Sequence, residues 1–525
     1  MAGIGSFAFI TPILGNIDTD IGPSSNVGWY STAWILCQGI GSLFGGRVSD
    51  IFGRRWVFIM GSVFGLVGSI IAATATSMNQ IIGAGVISGL GGGVQVSWFW
   101  VVSELVPMKW RYLANSGAYV IAIPTNSVGA KLAYTFQHNT SVRWRGCFYF
   151  LIACNAVSVL LWYLFYHPPT FKMLHRRQAF KTLLMSFDWI GLLIYVGSLW
   201  TFLMGLGWGG GTYPWKSAPV IASILAGAAG FLVLLLWEAF LPIKQTTPFI
   251  PLHLLRNGPL MVVTGITGIG ASIYYGTTVI WPQAVAVLYT EYSSSYIGTL
   301  YSVVIICYTS GLFVGGIVAT FAGNKYPVIV SMTIAAPFLA AAGTNFLDLS
   351  LTLGLILPGA LAVGFMEGIA LTNTSFPLLT QEEIGTAGGL SQTIRLLIGN
   401  VAVTVYSATL RTRLSNTIPS NVNPAAQQAG LPESSLPSLL SALSGLVPLD
   451  ASHVPGLTPA VSEAATTAYK VANAQAFKTV FLVTLAFSVP GMILCWFIKK
   501  DDPAKMNFVA QHIHDTKDEK KIESQ

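Results

Sequence analysis

The sequence predicts an all-α polytopic membrane protein, and three observations carry that prediction. Of its 525 residues, 53% are apolar and 9% are charged, against about 25% charged in ordinary globular chains. The mean hydropathy is +0.64. The apolar residues come in repeated runs of about twenty, the length at which a helix crosses a bilayer. The net charge of +7 lies mostly in the stretches between these runs and therefore does not point to nucleic acid. Cys37, Cys147, Cys154, Cys307 and Cys495 all fall inside apolar runs without paired spacing. They read as small packing residues, not as disulfides or metal ligands.

Fourteen spans follow in order. The first, near 1–17, is short and reads as a span, not a cleaved signal peptide; it is either minimal or the remainder of one that begins further upstream. Spans near 27–46 and 56–75 flank Gly46-Arg47-Val48-Ser49-Asp50-Ile51-Phe52-Gly53-Arg54-Arg55. Three arginines in ten residues cannot lie in hydrocarbon, so this stretch is expected as a short loop on the cytoplasmic face. Gly46 and Gly53 allow two helix ends to approach, and Asp50 can cap the next helix or pair with an arginine. Spans near 80–103, 112–133 and 146–166 complete a first group of six, followed by 188–208 and 218–239. A second group comprises 259–285, 296–320, 327–346, 350–373, 387–411 and 477–497.

Alternation from the 47–55 loop assigns every other loop to a side. Of the 27 lysines and arginines, 18 then fall on the cytoplasmic side and 7 on the outer side, counting Arg411 and Lys478 at the outer ends of their spans, with Lys131 and Arg395 inside spans. That bias supports the orientation. It also places the sequon Asn139-Thr140-Ser141 outside, where glycosylation is permitted. Gly316 to Lys325 repeats the glycine spacing of the basic stretch, with Thr320 where the aspartate was and Asn324-Lys325 in place of the basic pair. Two similar stretches, each two spans into a block of six, predict duplicated halves with two inserted helices between them. The expected organisation is a six-helix bundle over 1–171, a linker with the inserted pair over 172–258, a second bundle over 259–498 and a cytoplasmic tail over 499–525. A long outward loop is expected over 412–476, with a surface amphipathic helix somewhere between Gly430 and Gly445.

Longer stretches are more specific. They are ELVPMKWRYL (104–113), WRGCFYF (144–150) running to FYHPPTF (165–171), GLGWGGGTYPWKS (205–217), YYGTTVIWPQ (274–283) and AGLPESSLPSLLSAL (429–443). Together with the basic stretch, which resembles the signature loop of the major facilitator superfamily, they resemble the fungal trichothecene efflux pump-like branch. That branch is related to fourteen-span drug:proton antiporters and siderophore transporters. The resemblance implies a major facilitator fold of 6 + 2 + 6 helices. It further implies export of toxic or self-made small molecules across the fungal plasma membrane, with no cofactor beyond a proton gradient; a vacuolar or vesicle membrane is the alternative location, and a monomer is expected. The chain departs from the broader antiporter pattern in three places: Gly85 stands where span 4 carries an arginine, Gly129-Ala130 replaces a Gly-Pro pair in span 5, and span 1 lacks the acid. Each departure weakens a direct transfer of the usual coupling mechanism.

Glu367 is the outstanding acid, about 9 Å from the cytoplasmic end of its span at 1.5 Å per residue. A lone carboxylate at a helix centre costs about 2.5–3.5 kcal/mol on insertion scales. Glu367 therefore reads either as a proton carrier or as half of a permanent ion pair with Arg395, which lies about 12 Å deep by the same arithmetic. Lys131 near the outer end of its span reads as a snorkelling side chain. Trp98, Tyr274 and Tyr275 are candidate walls of a cavity for an amphipathic ligand. Gln95, Asn126 and Asn373 are either ligand contacts or interhelical hydrogen bonds. Asp50 with Gly46, Gly53, Arg54 and Arg55 is expected to act as a conformational latch between halves.

Other functions are poorly served. The sequence has no G-x-x-x-x-G-K-[ST] stretch, which argues against an ATP-driven pump. It has no H-E-x-x-H or histidine-rich box, which argues against a membrane enzyme. A siderophore importer of the same fold and, more remotely, a nutrient receptor that does not transport remain as alternatives. Small-molecule substrate, protons and lipid are the expected partners.

Overall fold

In hydrocarbon every backbone amide must find a partner within the chain, and the apolar runs meet that requirement as helices. The computed structural model describes residues 2–22, 24, 27–168, 185, 187–210, 213–240, 248–378, 383–443, 449–450 and 452–501. Most of the predicted 167–187 loop and nearly all of the tail lie outside these residues. The N-terminal group comprises α1 (Ala2–Ala8), α2 (Leu14–Ile21), α3 (Trp29–Phe52), α4 (Arg54–Ala73), α5 (Met78–Val96), α6 (Trp98–Leu105), α7 (Arg111–Asn126), α8 (Gly129–Asn139) and α9 (Arg145–Phe165). Next come α10 (Trp189–Trp208), α11 (Ala218–Phe240) and the short α12 (Leu252–Arg256). The C-terminal group comprises α13 (Gly258–Leu288), α14 (Ser294–Ala322), α15 (Lys325–Ala342), α16 (Leu349–Asn373), α17 (Ile384–Gln428), α18 (Leu436–Leu443), α19 (Pro459–Val483) and α20 (Leu485–Cys495).

Among the described residues, eleven helical stretches are long and apolar enough to cross a membrane. Three of the fourteen predicted spans fall outside that set. The first is broken by a 3-10 turn at Thr11–Ile13, the fifth by the α7–α8 junction after Pro124, and α3 is diluted by polar residues. The fourth and fourteenth spans are also jointed, at Ser97 and Thr484.

Two sequence expectations need correction. Residues 47–52 are not loop: α3 continues to Phe52, and Gly53, at φ 96°, is the single residue joining it to α4. Left-handed backbone of this kind suits glycine. Gly323, at φ 76°, makes the corresponding joint between α14 and α15, so the repeat seen in sequence is also a repeat in backbone geometry. Nor is 412–476 mainly loop. At 45 residues, α17 extends about 67 Å at 1.5 Å per residue, far beyond a bilayer core of about 30 Å. α19 returns alongside it, and α18 packs Leu436, Leu439 and Ala442 onto Val422, Ala426, Val454, Val461 and Ala465 of this hairpin. The amphipathic helix thus covers its own hairpin, not a lipid surface.

The halves meet through two equivalent pairs, α3 with α17 and α7–α8 with α14. A side chain on Gly46 would strike the Gly385 carbonyl, and one on Gly316 would strike Ser116 and the Tyr112 carbonyl. The glycines the sequence placed at helix ends therefore set the contact between halves. α10 and α11 pack on each other, and α10 rests against α3 and α17. Small residues also bring α14 and α16 together, with Gly311 against the Leu361 carbonyl and Phe365 amide. Gly311→Val should cost about 1–3 kcal/mol through overpacking. A lower unfolding temperature of the purified protein is the expected result, and an unchanged one would show that these helices have slack.

Candidate functional site

One buried ionic group lies in the C-terminal half. Glu367 on α16 is fully buried and accepts a hydrogen bond from Arg395 Nε of α17 at 2.6 Å. Its other oxygen accepts from the Tyr308 hydroxyl of α14. The Arg395 guanidinium also lies 5.7 Å from the centre of the Tyr275 ring on α13. Four helices thus contribute to one charged cluster. A charge taken out of water is tolerated when it is both paired and hydrogen-bonded, and this carboxylate has a cation and a phenol.

The cluster opens onto a cavity between the halves. Gln95, Trp98, Asn126, Tyr274, Tyr275 and Arg395 all line it, joined by Tyr119, Tyr308 and Gln392. Several of these residues also bond one another. Tyr274 Oη donates to Asn126 Oδ1 across the halves at 2.9 Å, and its ring lies 4.6 Å from that of Tyr308. Gln95 donates to Asn155 at 2.8 Å, and Trp98 packs edge-on against Tyr119 at 5.3 Å. For Gln95 and Asn126, interhelical bond and cavity wall are therefore the same side chain. Asn373 lies elsewhere, in a pocket with Met108, Phe376 and Asp501. Exposed Asn139 ends α8. The space open to water in the cavity is about 80 Å³, well below the roughly 300–1,000 Å³ of a drug-sized pocket. Contacts between halves flank it: Ser127 Oγ donates to Thr309 Oγ1 at 2.7 Å, and Lys131 N donates to Ser302 Oγ at 2.9 Å.

A second ionic group closes the face where α3 ends. Asp50 accepts from Thr386 N at 2.6 Å and Thr386 Oγ1 at 2.7 Å. It therefore caps the first turn of α17, in the opposite half, instead of the helix that follows it in sequence. Arg54 Nη2 reaches Asp50 at 2.8 Å and also pairs with Glu104 of α6. Arg55 stands apart, donating to the Tyr163 carbonyl of α9 at 2.6 Å. Asn115 Nδ2 adds a bond to Thr372 Oγ1 at 3.2 Å between the halves.

Sequence reasoning missed Tyr308, Thr386 and Glu104. Glu104 left a signal, since an acid abuts the end of a predicted span there. Tyr308 is one aromatic among many in an apolar run, and nothing in the sequence ties it to an acid 59 residues on.

Comparison with known proteins places this geometry in context. A family described as fungal trichothecene efflux pump (TRI12) matches residues 7–524. The trichothecene efflux pump TRI12 of Fusarium sporotrichioides is 25% identical over 96% of this chain and 85% of its own length. The MFS-type transporter prx5 of Penicillium rubens is 27% identical over 84% of this chain and 80% of its own. Among solved structures, the major facilitator proton:xylose symporter XylE shares the fold with a TM-score of 0.56 at 15% identity, covering 95% of this chain and 93% of that one.

Arg395→Gln strands the Glu367 carboxylate and should cost about 3–5 kcal/mol. The double variant Glu367→Gln/Arg395→Gln should recover most of that loss. Thermal unfolding of the two single variants and the double measures the coupling, and strictly additive losses would show that the pair does not act as one.

Proposed function

Because the chain belongs to the fungal trichothecene efflux pump family, we propose that it exports small molecules across the plasma membrane by alternating access, in exchange for protons. The observation that carries this reading is the buried Glu367–Arg395 pair at the wall of a cavity shared by both halves. Protonation of Glu367 removes the charge that holds Arg395 and releases its guanidinium toward the cavity, which it already lines. Deprotonation restores the pair. Because Tyr308 bonds Glu367 and its ring packs tilted against that of Tyr274, whose hydroxyl crosses to Asn126, a proton event at Glu367 is linked to a contact between halves.

The walls suggest the cargo. Tyrosines, Trp98 and amides surround the space with one guanidinium and no exposed carboxylate among the lining residues, which suits bulky, neutral or weakly polar metabolites. Cargo of that size needs the halves to part, since the present cavity is too small. The Asp50–Thr386–Arg54 clasp supplies the closed state on one face. Family membership favours efflux over siderophore uptake.

Two measurements test the reading. Glu367→Gln should abolish proton-driven export while the protein still folds and reaches the membrane, whereas exchange of labelled cargo without a proton gradient should persist. Export at the wild-type rate would remove Glu367 from the mechanism. Asp50→Asn should lower turnover more than apparent substrate affinity in initial-rate assays, and unchanged transport by a well-expressed variant would rule out the clasp as a gate.

A further inference from the structure

The two equivalent contacts between halves are not equally fastened. On one side, Asp50 follows Gly46 by four residues and fastens α3 to the first turn of α17. On the other, Gly316 packs against Tyr112 and Ser116 in the first turns of α7, and the residue four on is Thr320. Its hydroxyl turns back to the Gly316 carbonyl at 2.9 Å, so no carboxylate from this helix reaches α7. Instead, a space of about 560 Å³ opens there, lined by Lys109, Tyr112, Thr320, Lys325, Lys500 and Asp501 among others.

Into that space runs the segment that follows α20. Asn324 Nδ2 donates to the Lys499 carbonyl at 2.7 Å, and the Lys500 ammonium sits 4.9 Å from the Tyr326 ring centre. Both contacts tie the segment to the start of α15 in its own half. Asp501 then crosses to the other half, where the Tyr112 hydroxyl donates to its two oxygens at 3.2 and 3.1 Å. The Tyr112 ring stacks on Phe376 at 5.1 Å, which fixes the direction of the hydroxyl. We propose that residues 499–501 form a second clasp between the halves, in which Asp501 supplies from the tail the carboxylate that the second repeat lacks. This assigns Asp501 and Tyr112 as positioning residues for the alternating access described above, on which the inference rests.

The clasp should respond to acid in a defined direction. Burial pushes the Asp501 carboxyl up to about 6, partly offset by the Tyr112 hydrogen bond. The groups around it are Lys109 and Tyr112 before and in α7, Lys325 and Tyr326 in α15, and Lys499 and Lys500 beside it, while Pro259, Asn373 and Phe376 bring no charge. When the face opens, Asp501 regains water and its ordinary range near 4. A carboxyl with the higher value in the closed state binds its proton there, so lowering pH through about 6 favours closure.

The test is a distance measurement on the full chain in lipid nanodiscs, with spin labels at Leu164→Cys and Phe321→Cys, on opposite halves, and Cys154 and Cys307 replaced by alanine. Asp501→Ala and Tyr112→Phe should each shift the closed-to-open ratio up to about tenfold toward open, as expected for losing one hydrogen bond, and together no further. Asp501→Asn, which keeps an acceptor without the charge, should stay closed and lose the pH response that the wild type shows. If Asp50→Ala opens the face and Asp501→Ala does not, the second clasp is refuted and alternating access stands. If neither opens it, both fall.

Discussion

A carboxylate with no water around it must be held by something, and in this chain the Glu367–Arg395–Tyr308 group is the constraint from which most else follows. Each partner of the ion pair alone is costly in hydrocarbon, and here the two lie on different helices. The group therefore fixes α14, α16 and α17 relative to one another, with α13 contributing the Tyr275 face. Glycines at the α14–α16 contact allow the approach that the short bonds demand. From Tyr308 the connection runs through Tyr274 to Asn126, so the Glu367 carboxylate is joined to the N-terminal half by two rings and two hydrogen bonds. The proposed proton exchange would act at the start of this chain of contacts.

The second organising feature is duplication with divergence. Gly53 and Gly323 make matching left-handed joints, and Gly46 and Gly316 make matching contacts with the opposite half. The residues that fasten the contact have diverged: Asp50 caps α17, whereas Thr320 bonds its own helix. One face of the molecule thus carries a strong fastening and a weak one at equivalent places.

How much of this was legible beforehand depends on the range of the interaction. Most span positions were, because hydrophobic run length and flanking arginines report directly on bilayer thickness and topology. The pairing of Glu367 with Arg395 was also within reach, since two isolated charges at similar depth have few alternatives. The end of α3 is not legible, because arginines suggest a loop, whereas a helix continues past the membrane surface at no cost when its carbonyls meet water or a partner. Residues 412–428 and 459–476 are illegible for a related reason: Ala, Ser and Pro composition suggests loop, but a hairpin needs only an inner stripe of small apolar residues, and Val422, Ala426, Val461 and Ala465 supply it. Thr386 and Tyr112 carry no local signal, because their roles are defined by what the other half brings to them.

The proposed exchange of cargo for protons requires Glu367 to change its protonation while buried beside Arg395. Infrared difference spectra of the full chain in lipid, recorded as the pH is lowered, observe that directly. The account predicts a protonated carboxyl band that grows in the wild type, is missing in Glu367→Gln and moves on Arg395→Gln. A Glu367 that stays ionised at every pH where the protein remains folded would reduce the pair to a static brace and contradict the account.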